Sequence, residues 1–329
     1  MLTKRQNLLE TIHGGKPDRF VKQYEAFGMI VGNAFSKHNP APKPGEENIV
    51  NAWGVTRSWP KGMPGAFPVH KPDTIVIKDI EEWKKYVKVP QVIYDAKEWE
   101  PFIEQAEKID RKDQYVTPAV FPGVFEQCHY LLEIQECLMA FYENPDEMHE
   151  LIDCITQFEL DLAAEIVKYL KPDALFHHDD WGSQISTFIS PEMFREFIKP
   201  AYMKIYGYYK SHGVELIIHH SDSYAATLVP DMIDMGIDIW QGVMTTNNIP
   251  ELIKEYGGKI SFMGGIDSAT VDFEGWTQEK VAQEVKRACA ECGKLYFIPN
   301  ASQGLPVSTF PGVYEALDAE IDKCSKEMF

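Results

Sequence analysis

From about residue 115 to the end of the chain, short runs of apolar and β-branched residues alternate with longer amphipathic segments. This alternation, with one earlier run, predicts seven strands, and strands separated by helices pair in parallel through right-handed crossovers. The predicted strands are residues 20–27, 115–121, 174–177, 214–220, 237–241, 259–263 and 295–299. Their number favours an α/β fold of the (β/α)8 TIM-barrel type, regular or irregular, over an open doubly wound sheet. The Gly-rich fingerprint and the P-loop typical of open nucleotide-binding sheets are both absent.

The first third of the chain is organised differently. Residues 28–78 are rich in Gly and Pro and show little periodicity, yet they contain several aromatic side chains. A loop this long is typical of a functional segment, so we predict an N-terminal lid over the site. Thr3 is expected to cap a first helix, and a single helix is expected over residues 124–142. No linker divides the chain, so residues 1–329 are predicted to form one barrel domain.

Charge and composition limit the classes of partner. The 329 residues include 32 basic and 50 acidic side chains, a formal net charge of −18. Such a chain repels phosphate backbones and anionic lipid, so nucleic acid and membrane surfaces are not expected partners. No run approaches the roughly 20 apolar residues of a transmembrane helix, and the first residues lack the apolar stretch of a signal peptide. We therefore expect a cytoplasmic protein whose six cysteines are free thiols.

Two of the predicted strands end in the same kinds of polar side chain. The carboxyl ends of barrel strands meet at one mouth, where catalytic groups collect. The alternative is structural, with a hydrogen-bonded His and a helix-capping Asp at each strand end. Imidazoles and carboxylates are costly to desolvate without partners or a metal, so their concentration favours a site. The two strand ends read His177-His178-Asp179-Asp180-Trp181 and His219-His220-Ser221-Asp222.

The candidates for catalysis are three of these side chains, His220, Asp222 and Asp180, together with Glu126, which lies just past another strand end. On an extended backbone His220 and Asp222 would face the same side. With Glu126, or with Asp180, as a third ligand they could bind Zn²⁺ and leave one position open for substrate. Alternatively, Asp222 only orients His220 through a hydrogen bond. Asp179 and Asp180 are adjacent, so at most one of them should reach the site.

Aromatic residues occur near the same positions. Each one alone is more often part of a core than of a pocket, but together they favour a flat or aromatic ligand. The residues predicted to contact substrate are Trp53, Trp59, Phe121, Trp181, Trp240 and Gln303.

Several stretches together resemble the superfamily of uroporphyrinogen decarboxylase and the corrinoid-dependent methyltransferases. The resemblance spans almost the whole chain and implies a (β/α)8 barrel with the site at its mouth. The matching stretches are Arg5-Gln6-Asn7 with Pro17-Asp18-Arg19, Phe125-Glu126 with Tyr142-Glu143-Asn144-Pro145, His178-Asp179-Asp180-Trp181-Gly182 with Ser190-Pro191-Glu192-Met193-Phe194, Pro200-Ala201-Tyr202, His219-His220-Ser221-Asp222, and Met263-Gly264-Gly265-Ile266-Asp267.

Two branches of that superfamily fit poorly. Decarboxylases carry an Arg-Gln-Ala-Gly-Arg motif after the first strand, whose arginines hold the porphyrinogen carboxylates, but residues 23–28 contain no Arg. Their late His-Gly is Gln303-Gly304 here. Methyltransferases acting on coenzyme M place zinc on His-x-Cys and a late Cys, where this chain has His220-x-Asp222 and Gln303. Without thiolate ligands, activation of a thiol acceptor is not expected.

The chain most closely resembles a third branch, the ether-cleaving methyltransferases that act as O-demethylase components. This resemblance implies transfer of a methyl group from a methoxylated, often aromatic, small molecule to the Co(I) of a corrinoid cofactor. The chain lacks the Asp-x-His-x-x-Gly motif of corrinoid-carrying domains, so the corrinoid is expected on a partner protein. The alternatives are a decarboxylase of a small organic acid, a methyl-corrinoid:tetrahydrofolate methyltransferase, and a non-catalytic ligand-binding protein.

Overall fold

The computed structural model describes residues 1–63 and 65–329, and its centre is a curled sheet of seven parallel strands that pair in chain order. Three further short strands form a separate sheet. In chain order the strands are β1 (Phe27–Val31), β2 (Ile49–Val50), β3 (Thr56–Ser58), β4 (Phe67–Pro68), β5 (Tyr115–Val120), β6 (Ala174–His178), β7 (Leu216–His220), β8 (Ile239–Val243), β9 (Ser261–Ile266) and β10 (Phe297–Ala301). The predicted barrel is confirmed in an irregular form, with β1 and β10 as the edges of the parallel sheet.

Helices connect the strands and surround the sheet. They are α1 (Lys4–Ile12), α2 (Trp83–Tyr86), α3 (Ala96–Lys108), α4 (Val124–Leu132), α5 (Ile134–Glu143), α6 (Pro145–Leu170), α7 (Pro191–Met193), α8 (Lys199–Ser211), α9 (Val229–Asp234), α10 (Ile249–Tyr256), α11 (Ser268–Val271), α12 (Gln278–Cys292) and α13 (Val313–Met328). One turn of π-helix, Phe194–Ile198, joins α7 to α8. Among the described residues, no helix combines the length and apolar character needed to cross a membrane.

Side-chain alternation along the strands divides the core into two parts. Residues such as Phe176 and Ile218 point into the space that the curled sheet encloses, together with Leu8 and Ile12 from α1. The residues between them in sequence, such as Ile217, point outward and pack under the helices. Successive side chains of a strand face opposite sides. The last residues of each strand therefore divide between the mouth of the barrel and the helix layer.

The sequence predicts where helices begin more accurately than it predicts the lengths of some helices and strands. Thr3 caps α1 as predicted, and its side chain and that of Gln6 bond reciprocally to the backbone in a capping box. The first strand was predicted at residues 20–27 but begins at Phe27. The single helix predicted over residues 124–142 is wrong, because the chain breaks between α4 and α5 at Glu133, whose φ is 82°.

The N-terminal segment folds over the mouth as a lid, as predicted. Its strands β2, β3 and β4 pair antiparallel and only with one another. On one side of this small sheet Trp53 is buried against Phe158 of α6, with the ring centroids 4.9 Å apart. This contact attaches the lid to the helix layer, and β3 and β4 lie beside the barrel mouth.

Candidate active site

Strand register brings two histidines side by side at the barrel mouth. In the parallel pairing of β6 with β7, His178 lies opposite His220, and the next strand places Gln241 opposite His220. Each follows an inward-facing apolar residue by two positions, so all three side chains point into the enclosed space. The imidazole rings of His178 and His220 stack with their centroids 4.3 Å apart.

Asp180 completes a cluster with these two histidines. One ligand-capable atom from each of His178, Asp180 and His220 lies within 4.8 Å of the others. His220 Nε2 is 3.9 Å from Asp180 Oδ1, and the same oxygen accepts a 3.0 Å hydrogen bond from the backbone N–H of Asp222. Backbone and side chain thus hold Asp180 in place beside His220.

A second layer of side chains fixes the orientation of both imidazole rings. His178 Nδ1 donates a 2.8 Å hydrogen bond to Glu126 Oε2, and His220 Nδ1 donates to Oε1 of Gln241. The Gln241 amide is itself oriented, because its Nε2 donates to the backbone oxygen of Gln303 at 3.2 Å. Tyr130 donates a 3.3 Å bond to the other oxygen of Glu126. Both rings consequently keep Nε2 available for a ligand.

The surroundings shift the protonation of the cluster in opposite directions. Burial and, to a smaller extent, the neighbouring His178 lower the pKa of His220 to about 3, so His220 is a neutral imidazole. Burial would also lower the pKa of His178, but the charges of Glu126 and Asp180 outweigh it and raise the pKa to about 10. Desolvation raises the pKa of Asp180 to about 6, against the opposing effect of His178. The cluster therefore pairs a cationic imidazole, His178, with a neutral one, His220.

Asp222 stands apart from this cluster. Its side chain is exposed at the mouth, where desolvation by surrounding protein and the charge of Asp180 raise its pKa well above the ordinary value. The carboxylate lines the cavity but lies outside the ligand cluster, to which Asp222 contributes its backbone N–H.

Adjacent aspartates take opposite roles, as the sequence predicts. Asp180 faces the cavity, whereas Asp179 is fully buried and accepts hydrogen bonds from the backbone N–H groups of Phe125 and Glu126 at 3.0 and 2.8 Å. Asp179 also accepts a 2.5 Å bond from the hydroxyl of Tyr202. It anchors the first turn of α4, where a negative charge is favourable, and so positions Glu126 against His178.

The cluster lies against a cavity of about 650 Å³ between the barrel mouth and the lid. Barrel and lid both line it, which agrees with the predicted function of the N-terminal segment. From the lid come Pro44, Arg57, Trp59, Gly62, Met63, Gly65, Ala66 and Phe67, and from the barrel come Phe121, Pro122, Glu126, Tyr130, Phe176, His178, Asp180, His220, Asp222, Gln303, Gly304, Leu305, Val307, Ser308 and Thr309.

The residues predicted to contact substrate divide into two groups. Trp59, Phe121 and Gln303 line the cavity. Trp53, Trp181 and Trp240 do not, and their predicted placement beside the substrate is corrected by the structure.

Each of these three tryptophans packs against other side chains of the protein and does not line the cavity. Trp181 stacks on His219 with centroids 3.9 Å apart, and Trp240 is fully buried with its indole N–H bound to the backbone oxygen of Ser221. Both belong to the outer part of the core, under the helices, whereas Trp53 belongs to the lid and packs on Phe158.

The predicted zinc ligands need a similar correction. Of His220, Asp222 and Glu126, only His220 belongs to the cluster, and Glu126 instead contacts the ring of His178. Sequence reasoning left His178 out of the site, although it lies at the same position of its strand as His220. Its register against His220 is the signal that places it in the cavity, and this register is visible only in the structure.

Comparison with known proteins places the chain in a family. Residues 50–323 match the family described as Uroporphyrinogen decarboxylase (URO-D). The chain belongs to this family. Its fold is also similar to that of a methyltransferase from Methanosarcina mazei, with a TM-score of 0.68, 16% sequence identity, and coverage of 98% of this chain and 99% of the other. No curated protein matches the sequence.

The side chains of this URO-D family protein suit a zinc ion. His178 and His220 each direct Nδ1 to an oxygen acceptor, the arrangement that usually supports a metal-binding histidine. Asp180 adds a carboxylate, and three protein ligands with an open position are typical of catalytic zinc. Neutral His220 has its Nε2 lone pair available, since Nδ1 carries the proton that bonds to Gln241.

Proposed function

We propose that this protein is a methyltransferase that passes a methyl group from a methoxylated aromatic compound to the Co(I) of a corrinoid on a separate protein. The observation that carries the proposal is the position of His178, Asp180 and His220 at the wall of a cavity whose lid supplies aromatic side chains. Such a cavity can bind a planar ring and place an ether oxygen against groups that stabilise negative charge.

Cleavage of a methyl ether leaves an electron pair on oxygen. Transfer of the methyl group to Co(I) would break the C–O bond and leave its electrons on the departing oxygen as a phenolate. His178 can donate its proton to that oxygen, because its raised pKa of about 10 keeps it protonated at neutral pH. A phenol of the tyrosine type also titrates near 10, so donor and leaving group are matched. Glu126 then stabilises His178 in position through its Nδ1 contact.

A bound zinc ion would stabilise negative charge on the same oxygen by a different mechanism. Bound by His178, His220 and Asp180, it would act as a Lewis acid on the ether oxygen. In either case this chain's residues bind the ring, orient the ether oxygen and exclude water beneath the lid.

The side chains at the rim of the cavity favour the docking of a protein partner. Four apolar side chains that line it are strongly exposed, namely Met63, Phe67, Phe121 and Val307, with exposed fractions of 44%, 47%, 45% and 57%. Exposed apolar groups around a site are typical of docking surfaces. A corrinoid carried by another protein would approach the methyl group from this side.

Charge argues against a porphyrinogen as substrate. Three carboxylates line the cavity, those of Glu126, Asp180 and Asp222, and Arg57 is the single Arg or Lys among its described lining residues. Protonated His178 is already paired with Glu126, so an octa-acid would meet repulsion from the remaining carboxylates that Arg57 alone does not offset. The site supports a small substrate with little negative charge.

The test is methyl transfer in a purified system. The protein, a Co(I) corrinoid protein and a panel of methoxylated benzoates and phenols are mixed, and the cobalt absorbance is followed. We expect conversion to methyl-Co(III) with at least one substrate and its loss in His178→Ala. His13→Ala, at an exposed histidine at the end of α1, is the matched control and should react normally.

The same assay separates the alternatives. Release of CO₂ from a small acid in the absence of corrinoid would favour the decarboxylase, and methyl transfer from the corrinoid to tetrahydrofolate would favour the reverse reaction. If none of the methoxylated compounds methylates cobalt, the proposal is wrong.

A further inference from the structure

Arg57 differs from the other arginines of the chain. The sequence contains six, and the other five each have a carboxylate oxygen within 4.0 Å of the guanidinium. Arg57 has no such partner among the described residues, although the chain has 50 acidic side chains. The paired residues are Arg5, Arg19, Arg111, Arg195 and Arg287.

The lack of an ion-pair partner for Arg57 among the described residues is informative because of where this side chain lies. It lies on the lid strand β3, is half-buried, and lines the cavity of about 650 Å³. Its Nη2 donates a 2.9 Å hydrogen bond to the backbone oxygen of Ala66, but its Nε has no acceptor among the described residues. A partly desolvated guanidinium without a counter-ion is unfavourable. The protein therefore presents an unneutralised cation to whatever occupies the cavity.

A short chain of contacts connects Arg57 to the catalytic cluster. Its guanidinium carbon lies 5.8 Å from the ring centroid of Tyr130, whose hydroxyl donates to Glu126. Glu126 in turn contacts His178. One tyrosine ring thus separates the cation from the residues around the imidazole cluster. A substrate with an anionic group on one side of an aromatic ring and a methoxy group on the other would bridge the same interval.

The charged groups that line the cavity indicate which kind of anionic group Arg57 would bind. A guanidinium offers a planar fork of donors that matches a carboxylate. The neighbouring carboxylates of Glu126, Asp180 and Asp222 disfavour a dianion or a polyanion, since one cation can offset only one added charge. A single carboxylate satisfies both conditions.

We propose that Arg57 binds a carboxylate of the substrate and thereby selects methoxylated aromatic acids over neutral methoxyarenes. This inference rests on the proposed function, because it concerns the same cavity and the same methyl donor. Since Arg57 belongs to the lid, the ion pair also joins the lid to the bound acid. Arg57 is a specificity-determining residue, while the imidazole cluster does the chemistry.

Binding can be measured without the corrinoid partner. The 2-, 3- and 4-methoxybenzoates and the corresponding methoxybenzamides are titrated into the protein by calorimetry. We expect at least one benzoate to bind more tightly than its amide. We expect Arg57→Gln to weaken that benzoate by about 10-fold to 100-fold, the usual value of a hydrogen bond to a charged group, with the amide unchanged within about 2-fold. Arg57→Lys should retain part of the preference.

Lys61→Gln is the control, because it removes the same charge from an exposed position of the lid. It should bind both ligands as the unaltered protein does. Thermal unfolding of Arg57→Gln checks that the fold is kept. The inference is overturned if no benzoate binds more tightly than its amide, or if Arg57→Gln weakens both ligands equally. Arg57-dependent binding of a benzoate without methyl transfer would retain the inference and contradict only the proposed reaction.

Discussion

Two neighbouring strands end in the same dipeptide, His-His, yet the two members of each dipeptide have opposite surroundings. His178 and His220 face the cavity, where they stack on each other beside Asp180. His177 and His219 face the helices and are fully buried. Two histidines that are adjacent in sequence therefore differ in their surroundings: one faces the cavity and the other packs beneath the helices.

Each outward histidine is hydrogen-bonded to a side chain of the helix layer. His177 Nε2 forms a 2.7 Å hydrogen bond with Glu159, and Tyr206 bonds to His219 Nδ1 at 2.7 Å. Burial, with the neighbouring histidines, lowers the pKa of His219 well below its usual range. The inward pair keeps Nε2 available on both rings. Residue type alone does not identify a reactive histidine here, but strand position does.

Loss of an inward histidine should have the largest effect on activity. We expect His178→Ala and His220→Ala each to lower kcat/KM by about 10²-fold to 10⁴-fold, the usual contribution of a positioned acid–base group. His220→Ala should change stability little, because that side chain adjoins the cavity, whereas His178→Ala also leaves the buried Glu126 carboxylate without its partner and should lower stability. Initial rates and urea denaturation of each variant check this. An unchanged kcat/KM in both variants would remove the basis of the proposed chemistry.

Loss of an outward histidine should act on stability instead. His177→Ala leaves Glu159 buried without its partner, so we expect the free energy of unfolding to fall by about 3–5 kcal/mol. The double variant His177→Leu with Glu159→Leu should recover most of that loss, since it leaves no unpaired polar group. Urea denaturation measures both. A change below about 1 kcal/mol for His177→Ala would show that the pair is not needed for stability.

Substitution of Glu126, which holds the ring of His178 in orientation, should have a weaker effect than loss of a histidine, and we expect this effect on metal binding. Glu126→Gln removes the carboxylate that accepts from His178, and we expect zinc affinity to fall by about 10-fold to 100-fold. Competition with a chelator of known affinity provides the measurement. Gln157→Glu, at an exposed position of α6, is a control for the Glu and Gln exchange and should bind zinc normally.

The last expected effect concerns the pH dependence of stability in the metal-free protein. The pKa of His178 rises from 6.5 to about 10 on folding, so the folded state binds its proton more tightly. This stabilisation is fully present below about pH 6.5 and is lost as the pH rises through about 10. His178→Gln should therefore show a shallower fall in stability over that interval. Denaturation at several pH values checks this, and identical profiles would contradict the shifted pKa.

The sequence placed the six strands from β5 to β10 well, because each is a short apolar run bounded by turn residues, but it misplaced β1. It also placed His220 and Asp180 at the mouth, and Asp179 away from Asp180. It could not decide which histidine of each dipeptide faces inward. Both faces of a buried parallel strand are apolar, so no alternation of polar and apolar residues reveals the direction of a side chain.

The same ambiguity explains the tryptophans. Trp181 follows β6 and Trp240 lies within β8, strands whose two faces are equally buried, and only the register of β7 against β8 shows that Trp240 lies in the outward row with His219. Arg57 was missed for a different reason. The path of the lid depends on long-range contacts such as Trp53 on Phe158, which local sequence patterns do not contain.

The lid has a hydrogen-bonding arrangement of its own. Because β2, β3 and β4 pair only among themselves, the parallel strands that carry the histidines do not depend on the lid for their register. Exchange of this small sheet for another of similar length would alter which molecules enter while leaving the reacting groups in place. The lid sheet can therefore change by mutation without altering the strand register that positions His178 and His220.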